Sequence, residues 1–288
     1  MGLLITGILL CATSWAVAWS RVPLYSEHAF FPLWLGYILV VNGLTEWLYR
    51  DSLIRRMRFS FLLLFLISIP FWWFFEFINL TVKNWNYVHP RPISQINFAM
   101  QASIDFSTVV PAVLSASFLA FKILSARTRI RFPSFEIRRR WLSVSVLIGV
   151  GSLCLLGLIP DLAFPLVWIA PTFMIEPFIY SLGYPSLLAQ VKKGDWTHPV
   201  AIMLATFVTG IFWEMWNFYS LPKWVYTIPY VGFWKIFEMP FLGYFGYPFF
   251  GIIVYSFTAF MFSVLANSET ARGLVPWSDS DRRLAASD

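Results

Sequence analysis

Apolar residues in this chain run in long blocks, without the strict alternation of a half-buried strand or the single apolar stripe of a helix on a globular surface. Read between charged residues and Pro or Gly breaks, the blocks fall approximately at 3–19, 29–49, 59–80, 97–124, 141–159, 163–190, 199–220 and 241–266. Each is close to the roughly 20 residues that a helix needs to cross the hydrocarbon of a bilayer. The pattern predicts an all-α integral membrane fold of eight transmembrane helices.

Composition supports the class: 58% of the residues are hydrophobic, 20% aromatic and only 12% charged, and the mean hydropathy is +0.67. A soluble domain carries about 25% charged residues, so a soluble fold and a disordered chain are both excluded. The basic residues are unevenly placed. Residues 50–58 hold four, 122–140 seven, 192–193 two and 272–283 three, which puts 16 on one side. The other side has five: Arg21, Lys83, Arg91, Lys223 and Lys235. Short cytoplasmic loops carry the positive excess, so both termini are expected in the cytoplasm of a multi-pass inner-membrane protein. The same rule, with anionic lipid head groups, accounts for the net charge of +6 without a nucleic-acid partner. Ala16-Val17-Ala18 imitates a signal-peptide cleavage site, but no basic residue precedes it, and the first block is expected to stay as a helix.

The blocks repeat. Phe31-Pro32-Leu33-Trp34 and Ser52-Leu53-Ile54 match Phe164-Pro165-Leu166-Val167-Trp168 and Ser186-Leu187-Leu188 at offsets of 133 and 134. Glu76-Phe77-Ile78-Asn79, Trp85-Asn86-Tyr87 and Pro90 match Glu214-Met215-Trp216-Asn217, Trp224-Val225-Tyr226 and Pro229 at 138 and 139. Landmarks in one order at nearly constant spacing predict two four-helix repeats, 1–130 and 131–268. An even number of spans per repeat makes them parallel, as in some transporter halves. A polar tail at 269–288 is expected to be disordered.

Cys11 and Cys154 lie inside apolar blocks and cannot build a disulfide framework or thiolate cluster. His28, His89 and His198 fall near span ends, and His89 reads as an interfacial residue rather than a metal ligand. Candidate chemistry therefore rests with carboxylates, amides and aromatics. Glu46, Glu76, Asp105, Glu176 and Glu214 fall inside the blocks, Glu238 begins the eighth, and no Lys or Arg shares the hydrocarbon stretch with them. An acid in such surroundings is neutralised by a proton, a bound cation or hydrogen bonds, and intramembrane acids are functional candidates. Glu76 with Asn79, and Glu214 with Asn217, project from one helix face three residues apart. Both pairs are expected on the periplasmic side with Asp105 and Glu238. Glu46 and Glu176 sit three residues out of register in the matched blocks and are not expected to share a site.

Two readings compete. Polar pairs can be an interhelical clasp holding the repeats together, and Trp85, Tyr87, Trp224, Tyr226, Tyr230 and Trp234 can be an aromatic belt. Alternatively, Glu76, Glu214, Glu238 and Asp105 are catalytic acids, with Asn79, Asn217, Trp85, Tyr87, Trp224 and Tyr226 binding substrate. Neutral acids in a dry aromatic pocket can protonate an isolated double bond, and aromatic faces stabilise the cation that follows. No redox cofactor and no metal is called for. Gly243 and Gly246 read as close packing and a helix break, and no nucleotide-binding or metalloprotease motif is present.

The stretch Trp224-x-Tyr226, Tyr230-x-Gly232 and Phe237-Glu238-Met239-Pro240, opening an aromatic span, resembles the repeated motif of the membrane-embedded lycopene cyclase domain family. A weaker copy runs from Trp85 to Asp105, with Gln101 or Asp105 near the place of the acid. The family places paired acids after the proline, whereas Glu238 precedes Pro240 here. The resemblance implies a small polytopic protein that cyclises a carotenoid by non-redox proton catalysis. The partners expected are a membrane lipid or isoprenoid small molecule, and a second copy of the chain or a larger membrane complex. A non-enzymatic carrier, channel or pigment-binding subunit is the alternative function.

Overall fold

The computed structural model describes residues 1–265, so the expected tail at 269–288 lies outside the described residues. Helix α1 (Gly2–Ser20) and helix α2 (Phe30–Tyr49) form an antiparallel pair in which glycines let the backbones touch. A Cβ on Gly7 would lie 2.6 Å from the backbone of Val40, one on Gly36 2.5 Å from Cys11, and one on Gly43 2.6 Å from Leu4. Small residues at such crossings are the usual device of helix packing in lipid. The end of α1 is docked on the second half of the chain. Trp19 Nε1 donates to the Trp216 carbonyl at 3.2 Å, and Arg21 Nε to the Tyr219 carbonyl at 2.8 Å.

A short α3 (Leu53–Met57), capped by the Ser52 hydroxyl, leads into α4 (Phe61–Val82) and then strand β1 (Trp85–Val88). Helices α5 (Gln95–Phe106) and α6 (Val109–Arg127) form one apolar path of 33 residues with a break at Ser107–Thr108. Helix α7 (Arg139–Leu158) is followed by α8 (Pro160–Ala163), a 3-10 turn at Phe164–Trp168, α9 (Ala170–Ser181) and α10 (Leu187–Lys192). Helix α11 (Thr197–Tyr219) leads to β2 (Lys223–Tyr226), β3 (Lys235–Ile236) and β4 (Met239–Pro240). A second 3-10 turn at Phe241–Phe245 opens α12 (Gly246–Leu265).

Among the described residues seven helical paths are long and apolar enough to cross a membrane: 2–20, 53–82, 95–127, 139–158, 160–181, 197–219 and 241–264. The chain is a multi-pass membrane protein. The block at 29–49, expected as a span, is not among the seven. Its helix α2 has the length but carries Asn42, Thr45 and Glu46, each of which has a side-chain bond within the protein. Asn42 Nδ2 donates to Ser115 Oγ at 2.8 Å, Thr45 Oγ1 to the Val41 carbonyl at 2.6 Å, and Glu46 pairs with Arg55 at 2.5 Å. That last pair corrects the expectation of an acid without a basic partner.

Two further expectations change. The block at 163–190 is not one helix: Pro165 and Pro171 lack the amide hydrogen a helix needs, and Gly183 at φ 72° ends α9. The fold is also not wholly helical, because β1 pairs with β2 and β3 with β4 in two antiparallel ribbons.

Matched positions carry matched bonds. At the α3 and α10 end of the bundle, Asn42 Oδ1 accepts the Ile54 N–H at 3.1 Å, and Glu176 Oε2 accepts the Leu188 N–H at 2.9 Å. Asn42 holds Ser115, and Glu176 Oε1 accepts from Ser256 Oγ at 2.7 Å. Ser52 and Ser186 cap the two short helices in the same manner. Glu176 therefore corresponds to Asn42, 134 residues earlier, and not to Glu46.

Candidate functional site

Strands β1 and β2 pair in a register centred on Asn86 and Val225, with Trp85 opposite Tyr226 and Tyr87 opposite Trp224. Trp85, Asn86 and Tyr87 are the residues matched in sequence to Trp224, Val225 and Tyr226, so the ribbon is self-complementary about its middle. Each strand is launched by an asparagine. Asn79 Nδ2 donates to the Trp85 carbonyl at 2.8 Å, and its Oδ1 accepts the Asn84 and Trp85 N–H groups. Asn217 Nδ2 donates to the Trp224 carbonyl at 2.8 Å, and its Oδ1 accepts the Trp224 N–H at 2.9 Å. These amides fix the local turn from helix to strand. They do not clasp one helix to another, which revises the clasp expectation for Asn79 and Asn217.

The carboxylates hold aromatic side chains. Glu76 Oε1 accepts from Trp72 Nε1 at 2.9 Å, Trp85 Nε1 at 3.0 Å and the Tyr87 hydroxyl at 2.6 Å. Glu214 Oε1 accepts from the Tyr226 hydroxyl at 2.7 Å and the Tyr247 hydroxyl at 2.5 Å, while Trp224 Nε1 donates to Tyr226 at 2.9 Å. Glu214 is fully buried, and its Oε2 has no protein partner. Burial and the adjoining carboxyls push the Tyr87 and Tyr226 hydroxyls well above the ordinary phenol range, so both stay protonated donors. One turn before Glu76 stands Trp72; one turn before Glu214 stands Gly210, where a Cβ would lie 2.6 Å from the Tyr247 ring. The glycine gives Tyr247 of α12 the room that an indole occupies in the first half.

These aromatics wall a cavity of about 520 Å³. Trp72, Trp85, Trp168, Trp213, Trp224 and Phe250 line it, with Tyr87, Tyr226 and Tyr247 presented by the carboxyls behind them. Trp72 stacks on Trp213 with ring centres 5.3 Å apart, joining the two halves of the chain across the wall. Glu76 and Glu214 do not line the cavity. Asp105 does, set against the Phe31 backbone amide at the start of α2. Beside it, Gln101 Nε2 donates to the Glu27 carbonyl, and the Glu27 carboxylate pairs with Arg91 at 3.1 Å. The Leu24 backbone N–H foremost, and then Arg91, hold the Glu27 carboxyl below its usual range. His89 also faces the cavity, its Nε2 without a protein partner, and burial pushes its imidazole towards the neutral form.

The structure thus brings together Asp105, Asn217, Trp85, Tyr87, Trp224 and Tyr226 at one cavity and leaves Glu76, Asn79 and Glu214 in its supporting layer. Glu238 differs from expectation. It stands in the turn between β3 and β4, before the eighth block, and is paired with Lys223. Trp85 is buried and the other three of these rings are half-buried, whereas Tyr230 and Trp234, 71% and 79% exposed, suit an interfacial belt. Sequence reasoning missed Trp72, Trp168, Trp213, Tyr247 and Glu27. Only Trp168, matched to Trp34 in the repeat, carried a positional signal; Trp72, Trp213 and Tyr247 lie within apolar or aromatic runs, and Glu27 lies in the polar loop between the first two blocks. Among the described residues no group of three or more His, Cys, Asp or Glu is placed to hold a metal ion. Comparison with models of protein families, with curated proteins and with solved structures found no match.

Proposed function

We propose that this protein binds a lipid-soluble isoprenoid or carotenoid-like polyene in the aromatic cavity and acts on it by protonation of a double bond from Asp105. The observation that carries this reading is the placement of Asp105. Among the described residues it is the cavity-lining carboxyl outside every ion pair, in a wall otherwise made of Trp, Tyr and Phe. The Asp105 carboxyl transfers its proton to one carbon of the double bond, leaving a carboxylate and a carbocation. The cation is stabilised by aromatic faces. Ring closure by a neighbouring double bond and return of a proton to Asp105 give a cyclised isomer; capture by water and return of a proton give a hydrate. Neither route requires a redox partner. Glu76 and Glu214 serve as positioning residues that aim the Trp and Tyr rings.

The architecture proposed for this chemistry is eight spans in two parallel four-helix repeats, with both termini in the cytoplasm of an inner membrane. The glycine-lined contact of α2 along α1, the self-complementary ribbon and the matched Asn42 and Glu176 bonds support it. A second reading, a non-catalytic carrier or binding subunit, draws support from the position of Glu76 and Glu214 behind the wall, away from the cavity.

The test is absorbance and mass spectrometry of lipids extracted from membranes containing an acyclic polyene and either wild-type protein or Asp105→Asn. The expected result is a product of unchanged mass with an altered chromophore, or one heavier by a single water, in the wild type alone. A polyene that co-purifies unaltered with both proteins would establish the carrier reading, and phospholipid alone in both would end the polyene assignment.

A further inference from the structure

The rim of the cavity is exposed on one side only in part of its lining, and that part is apolar. Leu242, Phe245 and Phe249 line the cavity and are 46%, 58% and 46% exposed on the outside of the protein, and Pro165 is exposed beside the lining residues Phe164 and Ile169. All belong to apolar paths long enough to cross the membrane, 160–181 and 241–264, so the outward faces of this rim meet hydrocarbon. Both rim segments pass through 3-10 turns, Phe164–Trp168 and Phe241–Phe245, where side chains splay differently from those of a continuous helix. Between them stands Gly246, where a Cβ would lie 3.5 Å from the Trp168 ring. A residue with a side chain there would fill the space between α12 and that indole. At the offset of 141 residues that relates Ser115 to Ser256, Gly246 occupies the position of Asp105, so the second half has a glycine where the first half has its acid.

We infer that a long-chain, lipid-soluble molecule passes into the cavity sideways from the bilayer, through a mouth between the Phe164–Trp168 and Phe241–Phe245 turns that Gly246 keeps open. This rests on the reading of the cavity as the ligand site and adds the route and the class of entrant: a hydrocarbon chain from the membrane rather than a solute from water.

The experiment uses the full chain in phosphatidylcholine vesicles with two photoprobes, a long-chain alkyl diazirine dissolved in the bilayer and a short, charged, water-soluble diazirine. Adducts are located by peptide mass spectrometry. In the wild type the alkyl probe is expected on the inner residues Trp72, Phe106 and Trp213 as well as on the rim at Phe245. In Gly246→Trp the inner adducts should fall at least tenfold while those on Phe245 persist. Leu242→Trp combined with Phe245→Trp, both on the exposed rim, narrows the same mouth should the first variant fail to fold; rim labelling is then read at Phe249. Inner labelling unchanged by narrowing, or obtained with the water-soluble probe alone, would overturn the lateral route while leaving the cavity a ligand site. Absence of inner adducts from either probe in the wild type would defeat the cavity reading and the route together.

Discussion

Glu76 and Glu214 hang from corresponding turns of α4 and α11, are followed by corresponding asparagines, and hold Tyr and Trp side chains in the wall of one cavity, yet they are built differently. Glu76 is served from its own neighbourhood: Trp72 on the preceding turn, and Trp85 and Tyr87 on the strand that follows. Glu214 has lost the preceding aromatic to Gly210 and takes Tyr247 from α12 in its place. A local node can be lost without separating helices. A node that reaches to another helix ties packing to polarity, so the same carboxyl carries more of the tertiary structure in the second half. The difference also shapes the cavity, since Tyr247 enters the wall where Phe106 and Trp72 meet in the first half.

The sharpest way to break this comparison is Gly210→Val. Its side chain meets the Tyr247 ring at once and severs the Glu214 bond, adding an overpacking cost of about 1–3 kcal/mol to the loss of a buried hydrogen bond worth about 1–3 kcal/mol. A loss of about 4 kcal/mol is expected, read as a large drop in the midpoint of thermal unfolding in detergent. A change smaller than 1 kcal/mol would show that the glycine is incidental. Next in size is the pair Glu214→Ala and Glu76→Ala. Glu214 is fully buried, so removing it leaves the Tyr226 and Tyr247 hydroxyls without their acceptor, for about 3 kcal/mol, whereas Glu76 is half-buried and water can take its place, for about 1–2 kcal/mol. Equal losses would erase the distinction between a local and a cross-helix node.

Much of the scaffold was legible in the chain, because a bilayer allows few ways to satisfy a backbone. The apolar blocks, and the landmarks Glu76 to Tyr87 and Glu214 to Tyr226, carried enough pattern to point at the correct ends of the correct helices. What could not be read was which polar groups meet. Lys223 lies outside the apolar blocks, so its pairing with Glu238 depends on how the loop after α11 folds back through two ribbons. Asp105 and Glu76 look alike as isolated acids in apolar runs. One faces the cavity and the other is hidden behind three aromatic donors, a distinction made by helix rotation and not by residue type. The correspondence of Glu176 with Asn42 was present in the offset of 134 but concealed by the change from amide to carboxyl.

That change gives the subtlest test of the comparison between halves. Asn42 offers its amide nitrogen to Ser115 and its oxygen to the Ile54 N–H. Glu176 accepts from Ser256 with one oxygen and from the Leu188 N–H with the other. Glu176→Gln converts the second arrangement into the first: the new amide oxygen keeps Leu188, the new nitrogen donates to Ser256 Oγ, and that hydroxyl still donates to the Ile252 carbonyl, which it already reaches at 2.9 Å. The Leu188 N–H and the Ser256 hydroxyl both keep partners, so the expected change in the unfolding midpoint corresponds to less than about 1 kcal/mol, whereas Glu176→Leu, which strands the Leu188 N–H, should cost about 1–3 kcal/mol. A Gln variant as damaged as the Leu variant would mean that Glu176 is held for its acidity, and that the two halves differ at this end of the bundle in chemistry and not only in residue name.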